Sequence, residues 1–214
     1  MDISKLIDHT KLKPDLCLQD IDKLCDEAIQ HQFAAVCIPP YFVKHASVRL
    51  KDESPNVCTV VGFPMGYSCT PSKVEEARKA IDEGANEIDM VVNVCAIKDG
   101  NWNYLKNDIQ SVTTLTQMMG GLIKVIVETG ILSDEELKRI CDICIESNAE
   151  FIKTSTGFNG VGAETKKVKL IKSIAGDSIK IKASGGIKTK EFAIELIENG
   201  AERIGTSSGL IIVA

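Results

Sequence analysis

Within residues 150–157, Lys153 follows the apolar residues Phe151 and Ile152 and comes just before a hydroxyl-rich turn. Lysine ammonium groups are almost never fully buried unless they are paired, so packing alone explains this lysine poorly. A desolvated lysine loses its proton more readily and can then act as an amine nucleophile toward a carbonyl carbon. The ordinary alternative is a strand-end lysine whose ammonium group reaches solvent.

A second lysine could assist the first. Isoleucine and lysine alternate at residues 179–182, so Lys182 lies on the strand face opposite the isoleucines. If those isoleucines face the surrounding helices, Lys182 points toward Lys153. A nearby ammonium group would favour the neutral amine of Lys153. Residue chemistry alone leaves open which lysine is the nucleophile, and a solvated sheet face would also explain the alternation.

Two charged residues interrupt other apolar runs. Asp89 lies between apolar neighbours, and such a carboxylate either pairs with a lysine or transfers protons. Lys124 interrupts residues 122–126 in the same way, and an ion pair with Asp89 or Glu128 would account for it.

Three turns rich in glycine and hydroxyl residues could bind an anion, at residues 155–157, 184–186 and 205–209. Glycine lets the backbone approach a ligand closely, and the amides at a helix start attract phosphate. Phosphate sites after the last two strands recur in parallel eight-stranded barrels. The turns therefore favour a phosphorylated ligand, although tight turns contain glycine in many other proteins.

Strands and helices alternate along the whole chain, which predicts parallel strand pairing. The candidate strands cover residues 6–9, 35–38, 57–61, 87–92, 122–127, 151–153, 179–182 and 203–205. The candidate helices cover residues 18–31, 40–51, 72–83, 101–118, 133–147, 163–175 and 188–199. Eight strands predict an α/β fold of the (β/α)₈ TIM barrel type, with an open doubly wound sheet as the alternative. In a barrel, functional side chains gather at the carboxyl ends of the strands.

A repeated junction supports this prediction. Residues 84–89, 148–153 and 200–205 each begin with Gly or Asn, continue with Ala and carry an Ile before the last residue. Gly and Asn tolerate the left-handed backbone that ends a helix. The last residues of the three segments, among them Asp89 and Lys153, should therefore occupy equivalent places on their strands.

Local signals also mark helix starts. Ser72 with Glu75 and Ser133 with Glu136 have the spacing of capping boxes, and Pro71 is typical of a first helical turn.

Composition narrows the classes of function. The chain has 214 residues, 44% of them hydrophobic, and a formal net charge of −5, which argues against general affinity for nucleic acid or membranes. The beginning of the sequence does not have the apolar core of a signal peptide, and eight cysteines scattered through apolar segments suit reduced thiols. We therefore expect a cytoplasmic protein. The three histidines show no metal-ligand spacing, so we expect no metal.

At these motifs the chain resembles the deoxyribose-phosphate aldolases, a class I (Schiff-base) aldolase family built on a (β/α)₈ barrel. The resemblance runs nearly from end to end. It includes the segments IDHT (7–10), LKP (12–14), VCIPP (36–40), VGFPMG (61–66) and VETG (127–130). The most specific segments are FIKTSTGF (151–158), KASGGI (182–187) and RIGTSSG (203–209).

The resemblance implies a role for each candidate residue. Lys153 would form the Schiff base, Lys182 would tune it and exchange protons, and Asp89 would relay protons. The residues that would hold the substrate phosphate are Gly157, Gly185, Gly186, Gly205, Ser207 and Ser208.

The reaction implied by the resemblance is reversible cleavage of 2-deoxy-D-ribose 5-phosphate to D-glyceraldehyde 3-phosphate and acetaldehyde. It needs no cofactor, and its partners would be a sugar phosphate and an aldehyde, in a homodimer whose subunit is one aldolase domain spanning residues 1–214. Two alternatives remain at this point. One is another phosphate-binding TIM-barrel enzyme, such as a sugar-phosphate isomerase with a carboxylate–histidine pair or a transaldolase-like enzyme. The other is a non-catalytic barrel that binds a phosphorylated metabolite.

The sequence departs from the family at its end, where residues 210–214 follow the last strand without the tyrosine-ended tail that some members use in proton transfer. We expect water and Asp89 to carry that step instead.

Overall fold

Eight β-strands alternate with helices in the computed structural model, which describes residues 2–214. The strands are β1 (Ile7–Thr10), β2 (Ala35–Ile38), β3 (Asn56–Val61), β4 (Glu87–Val91), β5 (Leu122–Ile126), β6 (Phe151–Lys153), β7 (Lys180–Ser184) and β8 (Arg203–Thr206). The helices are α1 (Leu18–His31), α2 (Val43–Arg49), α3 (Thr70–Asp82), α4 (Val94–Lys98), α5 (Trp102–Met118), α6 (Asp134–Glu146), α7 (Thr165–Ala175), α8 (Lys190–Glu198) and α9 (Gly209–Val213).

The sheet closes on itself, because β1 pairs in parallel with both β2 and β8. Asp8 is the register partner of Ala35 on one side and of Gly205 on the other. The predicted (β/α)₈ barrel is therefore confirmed, and the open sheet is excluded.

Side chains alternate along each strand between the inside of the barrel and the apolar core between the sheet and the helices. Ile181 belongs to the large apolar core that the helices share, whereas Lys182 donates a hydrogen bond to Asp89 inside the barrel. The predicted orientation of these two residues is confirmed. The apolar cluster of the barrel interior is small, so charged side chains fill much of the remaining space.

The repeated helix-to-strand junctions have the predicted backbone. Gly84 (φ 103°), Asn148 (φ 56°) and Gly200 (φ 111°) all have the positive φ that glycine and asparagine tolerate best. The alanine that follows each of them is buried. The three units therefore enter their strands in the same way, which brings their sixth residues to comparable heights in the barrel.

Two helix starts were predicted from capping boxes, and one of them is wrong. Ser133 and Glu136 form the reciprocal bonds at the start of α6. By contrast, α3 begins at Thr70, with Cys69 rather than Ser72 in the capping position. Pro71 explains the difference, because its ring favours the first helical turn and its missing N–H needs no cap.

The short helices differ from expectation. The predicted helix at residues 40–51 is a 3₁₀ turn, Pro40–Phe42, followed by α2. Helices α4 and α9 were not predicted, because five residues are too few to display helical periodicity. Across residues 2–214 the helices include none long and apolar enough to cross a membrane.

Candidate active site

Three lysines converge on one buried carboxylate. Asp89 on β4 is fully buried, and its Oδ2 accepts hydrogen bonds from Lys153 Nζ and from Lys182 Nζ, each at 2.7 Å. Its Oδ1 accepts one from Lys124 Nζ at 2.9 Å. The structure therefore brings together the three residues for which the sequence predicted acid–base and amine chemistry, and it adds a third lysine.

A second layer of charges lies toward the amino ends of the strands. Lys182 pairs with Asp8, and Lys124 approaches Glu87 at 2.5 Å. Arg203 joins the two carboxylates, at 2.6 Å from Asp8 and 3.2 Å from Glu87. The lysines below the site are thus held in place by carboxylates on both sides.

These contacts fix the protonation of the buried groups. Burial alone would raise the pKa of Asp89, but Lys124, Lys153 and Lys182 hold that pKa well below its ordinary value of 3.8. Burial would lower the pKa of Lys182, but Asp8 and Asp89 raise it above the ordinary value. Asp89 is therefore a carboxylate and Lys182 an ammonium group at neutral pH.

The bonded network contains more cations than anions. Its four basic groups are Lys124, Lys153, Lys182 and Arg203, and its three carboxylates are Asp8, Glu87 and Asp89. An uncompensated charge in a low-dielectric interior is costly, and a group in that position tends to neutralise instead. Loss of one proton from one lysine would balance the network.

A cavity of about 660 Å³ opens above this network at the carboxyl ends of the strands. Of the three lysines around Asp89, only Lys153 lines it. The cavity wall also includes five of the six residues predicted for phosphate binding, namely Gly157, Gly185, Gly186, Gly205 and Ser207. The sixth, Ser208, lies just outside the lining, where its N–H donates to Thr206 Oγ1.

Two of the glycine turns touch each other across the cavity wall. Gly157 (φ 81°) and Gly185 (φ 91°) have backbones that L-residues rarely adopt. A Cβ on Gly185 would lie 2.9 Å from Gly162 Cα, so a side chain does not fit there. The N–H groups of Gly157, Gly185, Gly186 and Ser207 donate no hydrogen bond to other described residues. They are available to bind an anion.

Two groups of side chains have the spacing of metal ligands, namely Cys37, Cys58 and Asp89, and Asp8, Cys58 and Glu87. Ligand atoms in each group lie within 4.8 Å of one another, but the carboxylates of both groups already pair with buried lysines. The positive charges of these lysines oppose a bound cation. Both groups therefore suit ion pairing better than metal binding.

Sequence reasoning missed part of the charged network. Of the two partners expected for Lys124, Asp89 is the one observed. Asp8 and Glu87 were not singled out, because His9 follows Asp8 and Asn86 precedes Glu87, so neither carboxylate has apolar neighbours on both sides. The pairing of Arg203 with both carboxylates depends on barrel closure, which no local pattern reveals.

Comparison with known proteins agrees with this geometry. The sequence profile of the DeoC/LacD family aldolases matches residues 3–213. A protein of Thermococcus gammatolerans named deoxyribose-phosphate aldolase is 49% identical over 215 residues, which are 100% of this chain and 96% of the relative.

Solved structures of aldolases have the same fold. QR15, described as an aldolase, has a TM-score of 0.95 and 44% identity, covering 100% of this chain and 95% of that one. The tetrameric deoxyribose phosphate aldolase from Aeropyrum pernix has a TM-score of 0.93 and 28% identity, covering 99% of this chain and 89% of that one. With a buried lysine site in a closed barrel and a family profile that matches almost every residue, the chain belongs to the DeoC/LacD family of aldolases.

Proposed function

We propose that the protein catalyses the reversible cleavage of 2-deoxy-D-ribose 5-phosphate to D-glyceraldehyde 3-phosphate and acetaldehyde, with Lys153 as the Schiff-base nucleophile. The observation that carries this proposal is the position of Lys153, the one lysine of the Asp89 cluster that lines the cavity of the glycine turns. Eight relatives at 46–49% identity are named deoxyribose-phosphate aldolase, and a solved structure at 44% identity is described as an aldolase.

The charge balance supports Lys153 as the amine that becomes neutral. Lys182 meets carboxylates on both sides, at Asp8 and Asp89, whereas Lys153 contacts only the Asp89 carboxylate. Lys153 also faces the cavity, so it can exchange a proton with water. Loss of that proton removes the excess positive charge and leaves a nucleophilic amine.

The reaction then follows from the iminium ion. Neutral Lys153 adds to the C1 carbonyl of the open-chain sugar, and loss of water from the carbinolamine gives the iminium. A base removes the C3 hydroxyl proton, the C2–C3 bond breaks and its electron pair flows to the iminium nitrogen. D-Glyceraldehyde 3-phosphate leaves. Protonation of the remaining enamine at C2 and hydrolysis then release acetaldehyde and restore the amine.

Asp89 and Lys182 serve the proton transfers. The ionised Asp89 accepts from both lysines through a single oxygen, so a proton can pass between Lys153 and Lys182 across that carboxylate. Lys182, kept charged by Asp8, is the donor when the carbinolamine loses water. Water in the cavity would complete the relay.

The phosphate would be held by the glycine turns. Donors at Gly157, Gly185, Gly186 and Ser207 border the same cavity as Lys153. Binding the phosphate far from the reacting carbon orients the sugar before any bond is broken.

A carboxylate–histidine pair of the kind expected for an isomerase is not favoured. His9 pairs with Glu27 on the outer side of the barrel, and His45 pairs with Asp22 near the surface. Neither histidine lines the cavity that contains Lys153.

For the assembly we propose one domain over residues 1–214, in a cytoplasmic homodimer. The eight free cysteines suit a reducing compartment. The Aeropyrum pernix relative is described as a tetramer, so light scattering of the purified protein should separate a dimer from that assembly.

The reaction is tested by incubating the protein with 2-deoxy-D-ribose 5-phosphate and measuring both aldehyde products. We expect turnover by the natural protein, and loss of more than about 1,000-fold in Lys153→Leu because the covalent step is removed. Lys138→Leu is the matched control, since Lys138 is exposed on α6. Wild-type rates in Lys153→Leu would disprove the nucleophile, and no cleavage by the natural protein would disprove the reaction.

A further inference from the structure

Glu128 has an unusual backbone for a buried acidic residue. It follows β5 with φ 58° and ψ 58°, in the left-handed region that residues other than glycine seldom occupy. Its side chain is fully buried, and none of the roles proposed above involves it. A strained backbone of this kind persists where the surrounding contacts enforce it, often beside a functional site.

The hydrogen bonds of the Glu128 carboxylate all come from the turn at residues 156–159. The carboxylate accepts from the N–H of Thr156 at 3.2 Å and from Thr156 Oγ1 at 2.5 Å. Thr156 Oγ1 in turn accepts from the N–H of Phe158 at 3.1 Å. The residues on both sides of Gly157 are thus fixed by a single carboxylate, while the N–H of Gly157 stays free of partners among the described residues.

Asn159 in this turn links the carboxylate to a third loop. Asn159 Nδ2 donates to Glu128 Oε2 at 3.4 Å and to the carbonyl oxygen of Pro64 at 3.0 Å. Phe158 also packs edge-on against Phe63, with ring centroids 5.2 Å apart. Glu128 therefore joins the loops that follow β3, β5 and β6 at the mouth of the cavity.

We infer that Glu128 is a positioning residue for the substrate phosphate, which acts by holding Thr156 so that the N–H of Gly157 meets the phosphate. This inference rests on the proposed function of the cavity. Glu128 makes no hydrogen bond to Asp89, Lys153 or Lys182 among the described contacts, so it is not assigned to the chemical steps. Burial raises the pKa of the Glu128 carboxyl group, although the hydrogen bonds from Thr156 oppose this shift. The net increase agrees with an enclosed carboxylate.

Electrostatics and positioning predict opposite effects for Glu128→Gln. Removal of a negative charge near a phosphate site should tighten phosphate binding if charge alone mattered. A glutamine, however, has one acceptor oxygen, and its NH₂ group would face the donors of Thr156 or Asn159. The turn would then shift, and phosphate binding would weaken.

The test compares substrates with and without a phosphate. For Glu128→Gln we expect KM for 2-deoxy-D-ribose 5-phosphate to rise about tenfold, the effect of losing roughly one charge-assisted hydrogen bond. The loss in kcat/KM on unphosphorylated 2-deoxy-D-ribose should be at least about fivefold smaller than on the phosphorylated sugar. Glu135→Gln, an exposed carboxylate-to-amide change on α6, is the matched control. Thr156→Val should reproduce the effect, and the double variant should add little to it.

Binding of inorganic phosphate, measured by calorimetry, keeps this test separate from the reaction itself. Weaker phosphate binding in both variants, with unchanged circular dichroism, would support the inference even if the sugar were not cleaved. Unchanged or tighter binding in Glu128→Gln would overturn it. Equal losses on the two sugars would also overturn it, because they would indicate a role in chemistry or in general stability.

Discussion

At the scale of single residues, three lysines around Asp89 differ in the charges that surround them. Lys124 and Lys182 each meet two or more carboxylates and line no part of the cavity, whereas Lys153 contacts one carboxylate and faces the cavity. Carboxylates therefore keep Lys124 and Lys182 charged. Lys153, in contrast, has more positive than negative neighbours. In the proposed mechanism, this difference rather than residue type makes Lys153 the nucleophile and the other two lysines its helpers.

Lys182→Leu tests that difference. Without Lys182 the network has three basic groups and three carboxylates, so neutralisation of Lys153 no longer relieves an excess charge. We expect turnover near pH 7 to fall by about 100-fold or more, with part of the rate recovered at alkaline pH. The pH–rate profile should therefore move to higher pH, whereas Lys180→Leu, an exposed lysine on the same strand, should leave it in place. An unshifted profile in Lys182→Leu would contradict the charge-balance argument.

Much of this site could be predicted from residues whose neighbours are apolar. Lys153, Lys182 and Asp89 each interrupt or end an apolar run, and strand alternation gave their direction. Glu128 gave no such signal, because its importance lies in an unusual backbone angle and in contacts with a turn 28 residues away. Contacts of that kind depend on barrel closure and cannot be inferred from local patterns.

At the scale of elements, α3 and α5 are joined by a buried ion pair. Lys73 Nζ lies 2.6 Å from Asp108 Oδ2, both side chains are fully buried, and Thr70 Oγ1 donates to the other carboxylate oxygen at 2.8 Å. Burial lowers the pKa of Lys73, while Asp108 opposes that shift. The pair fixes how the two helices pack rather than contributing to the chemistry of the cavity.

Lys73→Met should destabilise the protein strongly, because it leaves Asp108 as a buried charge without its cation. We expect a loss of about 3–5 kcal/mol in the free energy of unfolding, measured with urea, and substantial recovery in Lys73→Met/Asp108→Leu. Lys79→Met breaks the exposed pair with Glu83 on the same helix and should cost about 1 kcal/mol or less. Equal costs for Lys73→Met and Lys79→Met would contradict the buried pair's role.

Element boundaries show where sequence reasoning succeeds and fails. The capping box at Ser133 was correct, because its side chains satisfy local amides. The box proposed at Ser72 was wrong, because α3 already begins at Thr70, with Pro71 in its first turn. The strands and long helices were predictable from apolar periodicity. The short helices α4 and α9 were not, since one turn of helix carries little periodic signal.

At the scale of the whole molecule, ion pairs connect strands on all sides of the barrel interior. Asp8, Glu87, Asp89, Lys124 and Lys182 are each at most 1% exposed and come from four different strands. The pairs lower the pKa of Asp8 and of Asp89 against burial and raise the pKa of Lys124 and of Lys182 against burial, so the ionisation of these four groups is coupled to folding. Carboxylates with a lowered pKa stabilise the fold above their ordinary pKa and lose that contribution as the pH falls.

Asp89→Asn should therefore change how the free energy of unfolding depends on pH below neutrality. Because the pKa of Asp89 lies well below 3.8 in the folded protein, its contribution is present near pH 7 and fades as the pH drops below about 4. We expect the gap in unfolding free energy between natural protein and variant to be largest near neutral pH and to narrow toward pH 2. Denaturant titrations from pH 7 to pH 2 measure it, and a constant gap would show that Asp89 is not ionised in the fold.

The proposed reaction requires a covalent bond between Lys153 and an aldehyde. Treating the protein with acetaldehyde and borohydride, followed by peptide mass mapping, reads out that bond directly. We predict a two-carbon adduct on Lys153, because it is the lysine of the Asp89 cluster that faces the cavity. An adduct on Lys182 instead would exchange the roles of the two lysines, and a folded protein without any adduct would contradict Schiff-base catalysis.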